Sequence, residues 1–260
     1  PASLRVTAGV DTHLDVHVAH VKDELGRRLA TTSIPTTPAG YRQLLDWART
    51  FGQVEAWGVE GTGCYGAALA RCLHAHEQVV VEVNRPDRTA RRHRGKSDSV
   101  DAEAAARAVQ AGDATTTPKA GTGSVEMIRA LRVARSTAMK ARTQAVNALK
   151  ALLVTAPADL REQLRGLPTA ALVRAAAALE PGELTNPAAA AKLAACILAQ
   201  RYQALSAEIS TLSRELDRLT TKVAGPLVAR FGVGPDSAGA LLVAAGDNPD
   251  RTAQRGGVLN

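Results

Sequence analysis

The chain has 260 residues, enough for one large domain or two modest ones, and only 3% of them are aromatic, so its core must be packed from aliphatic and small side chains. A formal net charge of +7 favours a polyanionic partner, while three cysteines, an odd number with no C-x-x-C pair, argue against a disulfide framework and a structural zinc site. No apolar run approaches the roughly 18 residues of a membrane span and no basic-then-apolar leader is present, so a cytoplasmic protein with no membrane partner is expected.

Residues 4–10 read as a buried strand, 15–21 as a second and 28–34 as a third, with Asp23-Glu24-Leu25-Gly26 as the turn between the last two. Connections this short make an antiparallel meander. A helix is predicted over residues 37–51, where Thr36 or Thr37 can cap it, Pro38 suits its first turn, and Tyr41, Leu44, Leu45 and Trp47 give it an apolar side. Residues 54–60 form a fourth strand, broken by Gly61-Thr62-Gly63. A helix over 65–74, a fifth strand over 79–83 and an alanine-rich helix over 101–109 follow. This order is that of an α/β domain, and it sets the ends of the first and fourth strands side by side in many layouts.

Residues 113–124 read as a polar linker that closes a first domain of residues 1–112. A helical region over 125–224 follows, opening with one long run over 125–155, after which Pro157, Pro168, Pro181 and Pro187 cut shorter pieces. From Leu198 through Tyr202, Leu205, Ile209, Leu212, Leu216 and Leu219 to Val223, apolar residues alternate in steps of four and three. That heptad seam predicts a coiled coil, with either the earlier long helix or a second copy as its partner. In residues 225–260, Phe231-Gly232-Val233-Gly234-Pro235 lies between two apolar runs and fits either a helix-hairpin-helix or an ordinary helix turn.

Four acids are candidates for chemistry. Asp11 and Glu60 each end a strand-like run, and Asp98 and Asp101, three residues apart where a helix begins, share one helical face. Alone, the latter two also suit an N-terminal cap and first turn, where the helix dipole favours negative charge. If all four converge, their mutual repulsion calls for divalent cations, and oxygen donors suit Mg2+, with Mn2+ as the alternative. Ions so held activate a water or hydroxyl and stabilise the leaving oxygen of a phosphodiester.

Between Glu60 and Asp98 lies the densest charge run: Arg85, Arg88, Arg91, Arg92, Arg94 and Lys96, opposed only by Asp87. Basic runs are commonly solvated surface, yet beside a phosphodiester site this one suits sequence-independent nucleic-acid backbone contact, with Lys96 nearest the scissile phosphate. The glycines from Gly61 to Gly66 can form a phosphate nest but fit a tight strand-to-helix turn more simply, and no Walker loop is present. Cys64 has no base beside it and reads as a buried structural cysteine. His13, His17 and His20 do not indicate zinc, because their segment alternates like a strand and lacks a companion Cys or His pair.

The succession Ala8-Gly9-Val10-Asp11, Thr37-Pro38-Ala39-Gly40-Tyr41, Gly58-Val59-Glu60-Gly61-Thr62-Gly63, Glu82-Val83-Asn84-Arg85-Pro86 and Lys96-Ser97-Asp98-Ser99-Val100-Asp101-Ala102 resembles, in order, the DEDD transposases of the insertion sequence 110 family. Gly232-Val233-Gly234-Pro235 is similar to the opening of that family's C-terminal domain. The resemblance implies an N-terminal RuvC-like domain of ribonuclease H fold whose acidic tetrad is Asp11, Glu60, Asp98 and Asp101. It also implies a coiled-coil middle and a partial C-terminal transposase domain over 225–260. Assembly on DNA as a dimer or higher homo-oligomer is implied too, with recognition guided by a structured RNA of the element. One departure stands out. Family members carry a nucleophilic serine beyond the Gly-Val-Gly-Pro segment, whereas this sequence leaves the pattern near Thr252, and Ser237 falls inside the hairpin motif. The acidic site is therefore expected without the serine for complete strand exchange.

Two other readings compete. One is an inactive RNA- or DNA-binding remnant or regulator. The other is an actin-like or sugar-kinase-type ATPase, which shares the ribonuclease H topology. Against the ATPase, Thr12-His13 follows Asp11 where a glycine phosphate loop belongs, and no second nucleotide-binding half follows Asp113.

Overall fold

A computed structural model describes residues 4–84 and 97–246. Strands β1 (Arg5–Thr12), β2 (Val16–Asp23) and β3 (Arg28–Pro35) form an antiparallel meander. Its second turn is closed by Asp23, whose Oδ1 accepts from the backbone N–H groups of Leu25 and Arg27 at 3.0 and 2.8 Å, and by Gly26, whose φ of 78° only glycine adopts without strain. Strands β4 (Gln53–Glu60) and β5 (Val80–Val83) extend the sheet in parallel with β1, in the order β3-β2-β1-β4-β5.

Parallel pairing requires crossovers, and helices α1 (Pro38–Arg49) and α2 (Ala67–Ala75) supply them. Thr37 caps α1 by accepting from the Gly40 N–H at 3.1 Å, and Pro38 occupies the first turn. This mixed five-stranded sheet with helices is consistent with the α/β ribonuclease H-like architecture implied by the resemblance.

Alternation along the strands separates two faces. One carries Val6, Ala8, Val10, Ala19, Val21, Trp57 and Val59 into the main core, where they meet Tyr41, Leu44 and Leu45 of α1 and Leu69 and Leu73 of α2. The other face is covered by α3 (Asp98–Gln110). Here the approach is backbone to backbone. A Cβ on Gly9 would lie 2.1 Å from the carbonyl oxygen of Ala102 and 2.3 Å from the nitrogen of Ala106, and one on Gly58 would lie 2.6 Å from the carbonyl oxygen of Ala105. Ala102, Ala105 and Ala106 are buried to within 1% of fully. Two glycines in the sheet and three alanines on the helix thus let α3 settle closer than ordinary side chains permit. The helix begins at Asp98, one turn earlier than the sequence reading placed it, behind an extended Ser97 that makes no side-chain cap bond.

Farther along α3, Glu103 is buried at 5% exposure and receives Arg28 at 2.7 Å, Arg107 at 2.8 Å and Lys22 at 3.5 Å. Burial alone would raise its pKa, but the hydrogen bonds from Arg107 and Arg28, with the charges of Arg28 and Lys22, outweigh it and hold the carboxyl below the usual range. On β2, His17 is fully buried and stacks on the Tyr41 ring at 5.8 Å. Burial lowers its pKa to about 4.

Residues 113–123, expected as part of a linker, group with this first unit, and Thr116 accepts from the Glu82 N–H at 2.7 Å. The second unit, Ser124–Ala244, is helical. It contains α4 (Ser124–Val154), α5 (Ala158–Leu164), α6 (Thr169–Ala177), α7 (Pro187–Val228) and most of α8 (Pro235–Ala245). Asn186 caps α7 by accepting from the Ala189 N–H at 2.9 Å, ahead of Pro187. The helix breaks at Ala224 (φ −139°, ψ 44°), shortly before Pro226, which has no N–H to continue the ladder.

Of the heptad residues, Leu198 and Tyr202 pack in a cluster with Leu149 of α4 and with Leu160 and Leu172, while Leu216 and Leu219 pack with Ile128 of α4. The chain's own α4 therefore occupies this side of α7. Among the described residues no helix is long and apolar enough to cross a membrane.

Gly9→Ala should lower stability by about 2–3 kcal/mol, read by urea denaturation. Gly63→Ala, whose added Cβ meets nothing within 4 Å, should change it by less than about 0.5 kcal/mol. The histidine sets a pH dependence. Because the folded pKa of His17 lies below the unfolded 6.5, the unfolded state binds more protons between pH 6.5 and about 4, and stability falls as pH falls through that window. The expected loss is roughly 3 kcal/mol, and His17→Phe should remove most of it in denaturation curves compared at pH 7 and pH 4.5. The depressed Glu103 carboxyl adds a loss of the same sign at lower pH.

Candidate metal centre

Parallel pairing of β1 with β4 builds half of the site. Gly9 lies opposite Gly58 and Val10 opposite Val59, so the next pair, Asp11 and Glu60, ends the two strands on the same face as the glycines. That is the face against which α3 packs, and the contact at Ala102 and Ala106 brings the first turn of α3, with Asp98 and Asp101, to the same strand ends. All four acids line one cleft of ≈ 390 Å³. Asp11, Glu60 and Asp101 are buried at 5–6% exposure, whereas the Asp98 side chain is 52% exposed at the rim. Thr12 ties the strand ends together by donating its hydroxyl to the Glu60 carbonyl oxygen at 3.0 Å.

Opposing influences act on Asp11. Burial pushes the Asp11 carboxyl up, His13 pulls it down, and the charges of Asp101 and Asp98 push it up again, leaving it above the usual carboxylate range. A cation would reverse that shift. The carboxylate oxygens gathered from three elements form a hard donor set that fits Mg2+ or Mn2+, and one imidazole stands beside them. Asp11 and Asp98 have oxygens close enough to share one ion, and Glu60 and Asp101 line the same cleft.

The imidazole belongs to His13, which the sequence reading set aside. It sits in the turn between β1 and β2, with Nε2 3.1 Å from Asp11 Oδ2 and 3.5 Å from Asp98 Oδ1. Asp11, His13 and Asp98 each offer a donor atom within 4.8 Å of the others. The usable signal was the end of the strand: once β1 stops at Thr12, His13 is freed from the alternation that directs its neighbours. His17 and His20 lie on opposite faces of β2 and do not join it. His17 stacks on Tyr41, and His20 shares a 2.7 Å hydrogen bond with Thr31. Glu82 and Tyr65 also line the cleft and were not singled out from the sequence.

Two other expectations are resolved by the turn after β4. The Gly61 carbonyl, at φ 60°, accepts from the N–H groups of Cys64 at 2.8 Å and Gly66 at 3.0 Å. Those donors are consumed within the turn, which favours a tight strand-to-helix connection over a phosphate nest. Cys64, expected to be buried, is exposed and lines the cleft, because the turn projects it away from the core. The basic residues Arg85, Arg88, Arg91, Arg92, Arg94 and Lys96 lie outside the described residues; on either side of them, Asn84 and Asp98 both line the cleft.

The family model for DEDD transposases of the insertion sequence 110 type, described as a transposase, matches residues 8–156, more than half of the chain. Among curated proteins none matches it.

Proposed function

The chain belongs to the DEDD transposases of the insertion sequence 110 family, and from that premise we propose that its acidic cleft binds divalent cations and cleaves DNA phosphodiesters during transposition. The observation that supports this reading is the meeting of Asp11, Glu60, Asp98 and Asp101 in one cleft, from two strand ends and one helix start. What Mg2+ or Mn2+ supplies when bound is activation of a water or hydroxyl and neutralisation of charge on the leaving oxygen.

The chain's own residues do the rest. Asp11 and Glu60, buried at adjacent strand ends, give the cation a fixed position, since neither can move without disturbing the sheet. Asp101 is held by the close packing of α3, and Asp98 at the rim faces the side from which a nucleic-acid strand would enter. Arg85, Arg88, Arg91, Arg92, Arg94 and Lys96 contact backbone phosphates, a role supported by their charge and by cleft-lining residues on both sides of the run.

DNA is the substrate in this reading, and a structured RNA of the element guides its recognition. The protein works as a homo-oligomer, dimer or higher. Ile197 and Val223 on α7 remain exposed, apolar surface that supports contact with a further copy.

Asp11→Ala should reduce Mg2+-dependent nicking of element-end DNA by about a thousandfold or more, with DNA affinity by fluorescence anisotropy changed only a few-fold. Wild-type protein that binds DNA yet never nicks it, with either ion, would instead favour the regulator. For the basic run, Arg91→Ala combined with Arg92→Ala should make the slope of log affinity against log salt shallower by about two. An unchanged slope would remove those side chains from the interface.

A further inference from the structure

We infer that His13 is a nitrogen ligand of the cation held in the acidic cleft, sharing it with Asp11 and Asp98, and that this donor turns the site's preference from Mg2+ toward first-row transition ions such as Mn2+. The inference depends on the cation reading of the same cleft and adds a ligand from outside the four acids.

Distance is the first support. Donor atoms about 2.1 Å from one octahedral ion stand about 3 Å apart when adjacent. His13 Nε2 lies 3.1 Å from Asp11 Oδ2 and 3.5 Å from Asp98 Oδ1, and the three donor atoms fall within 4.8 Å of one another. An ion can therefore be gripped by all three with small side-chain adjustments.

Anchorage is the second. The backbone N–H of His13 donates to His17 Nδ1 at 3.3 Å, and His17 is itself fixed in the core against Tyr41. The turn is thereby tied to the sheet while the imidazole reaches into the cleft. A ring that only paired with Asp11 would need no position shared with Asp98, which belongs to a different element.

Donor chemistry gives the selectivity. Mg2+ favours oxygen ligands and retains its waters, whereas imidazole binds first-row transition ions more readily. Four carboxylates alone would give little reason to discriminate; one nitrogen among them does.

The test uses the full chain loaded with Mn2+ alone. Pulsed electron paramagnetic resonance should show nitrogen modulation of the bound Mn2+, and His13→Gln should abolish it. Titration calorimetry should show Mn2+ affinity weakened about tenfold in that variant and Mg2+ affinity changed less than about twofold. Circular dichroism should match the wild type, because the His13 side chain is 47% exposed and outside the core. Bound Mn2+ without nitrogen modulation would overturn the inference and leave the acidic cation site standing. So would modulation that persists in His13→Gln, or equal weakening for both ions. Failure of the wild type to bind either ion, in a protein that is otherwise folded, would overturn the cation reading and this inference together.

Discussion

The site depends on how closely one helix lies on the sheet. Ordinary side chains would hold α3 farther away, and its first turn would then miss the ends of β1 and β4. Gly9 and Gly58 remove that spacing, and Ala102, Ala105 and Ala106 fill the seam from the helix side. Because β1 and β4 are parallel neighbours, one register places both glycines and both terminal acids on the same face. A packing solution thus also determines where four negative charges meet.

The same helix carries a second buried acid, and the contrast explains the chemistry. Glu103 is matched inside the protein by Lys22, Arg28 and Arg107, so its charge is retained at little cost. Near the other end, burial together with the charges of Asp101 and Asp98 pushes the Asp11 carboxyl upward, against the pull of His13 at 3.1 Å. Glu103 is thus matched by cations of the fold, whereas the acids at the strand ends line a cleft.

Much of the fold was legible because local chemistry and tertiary structure agree. The meander follows from two short turns, α1 from Thr37 and Pro38, and the five strands from runs of branched side chains. Asp11, Glu60, Asp98 and Asp101 stood out because each ends or begins an element, and the structure brings these four into one cleft. Other features were not legible. The start of α3 at Asp98 was only half legible: the apolar run opens at residue 101, although Asp98 and Asp101 also suited a cap and first turn. His13 was hidden by its neighbours: His17 and His20 invited a single pattern for all three, though only His13 lies beyond the strands. Cys64 was misjudged because apolar character suggests burial, while the turn geometry at Gly61 decides its direction.

The glycine and alanine seam also decides which side of the cleft can yield. Backbone packed on backbone has no rotamers to adjust, so the wall formed by α3 and the two strand ends behaves as a rigid jaw. Among the described residues, the lining opposite includes two turns, with His13 on one and Cys64 and Tyr65 on the other, and all three side chains are substantially open to solvent. Accommodation of differently shaped strands then falls to the turn that carries Cys64 and Tyr65, away from the backbone contact that holds Asp11 and Asp101 in place.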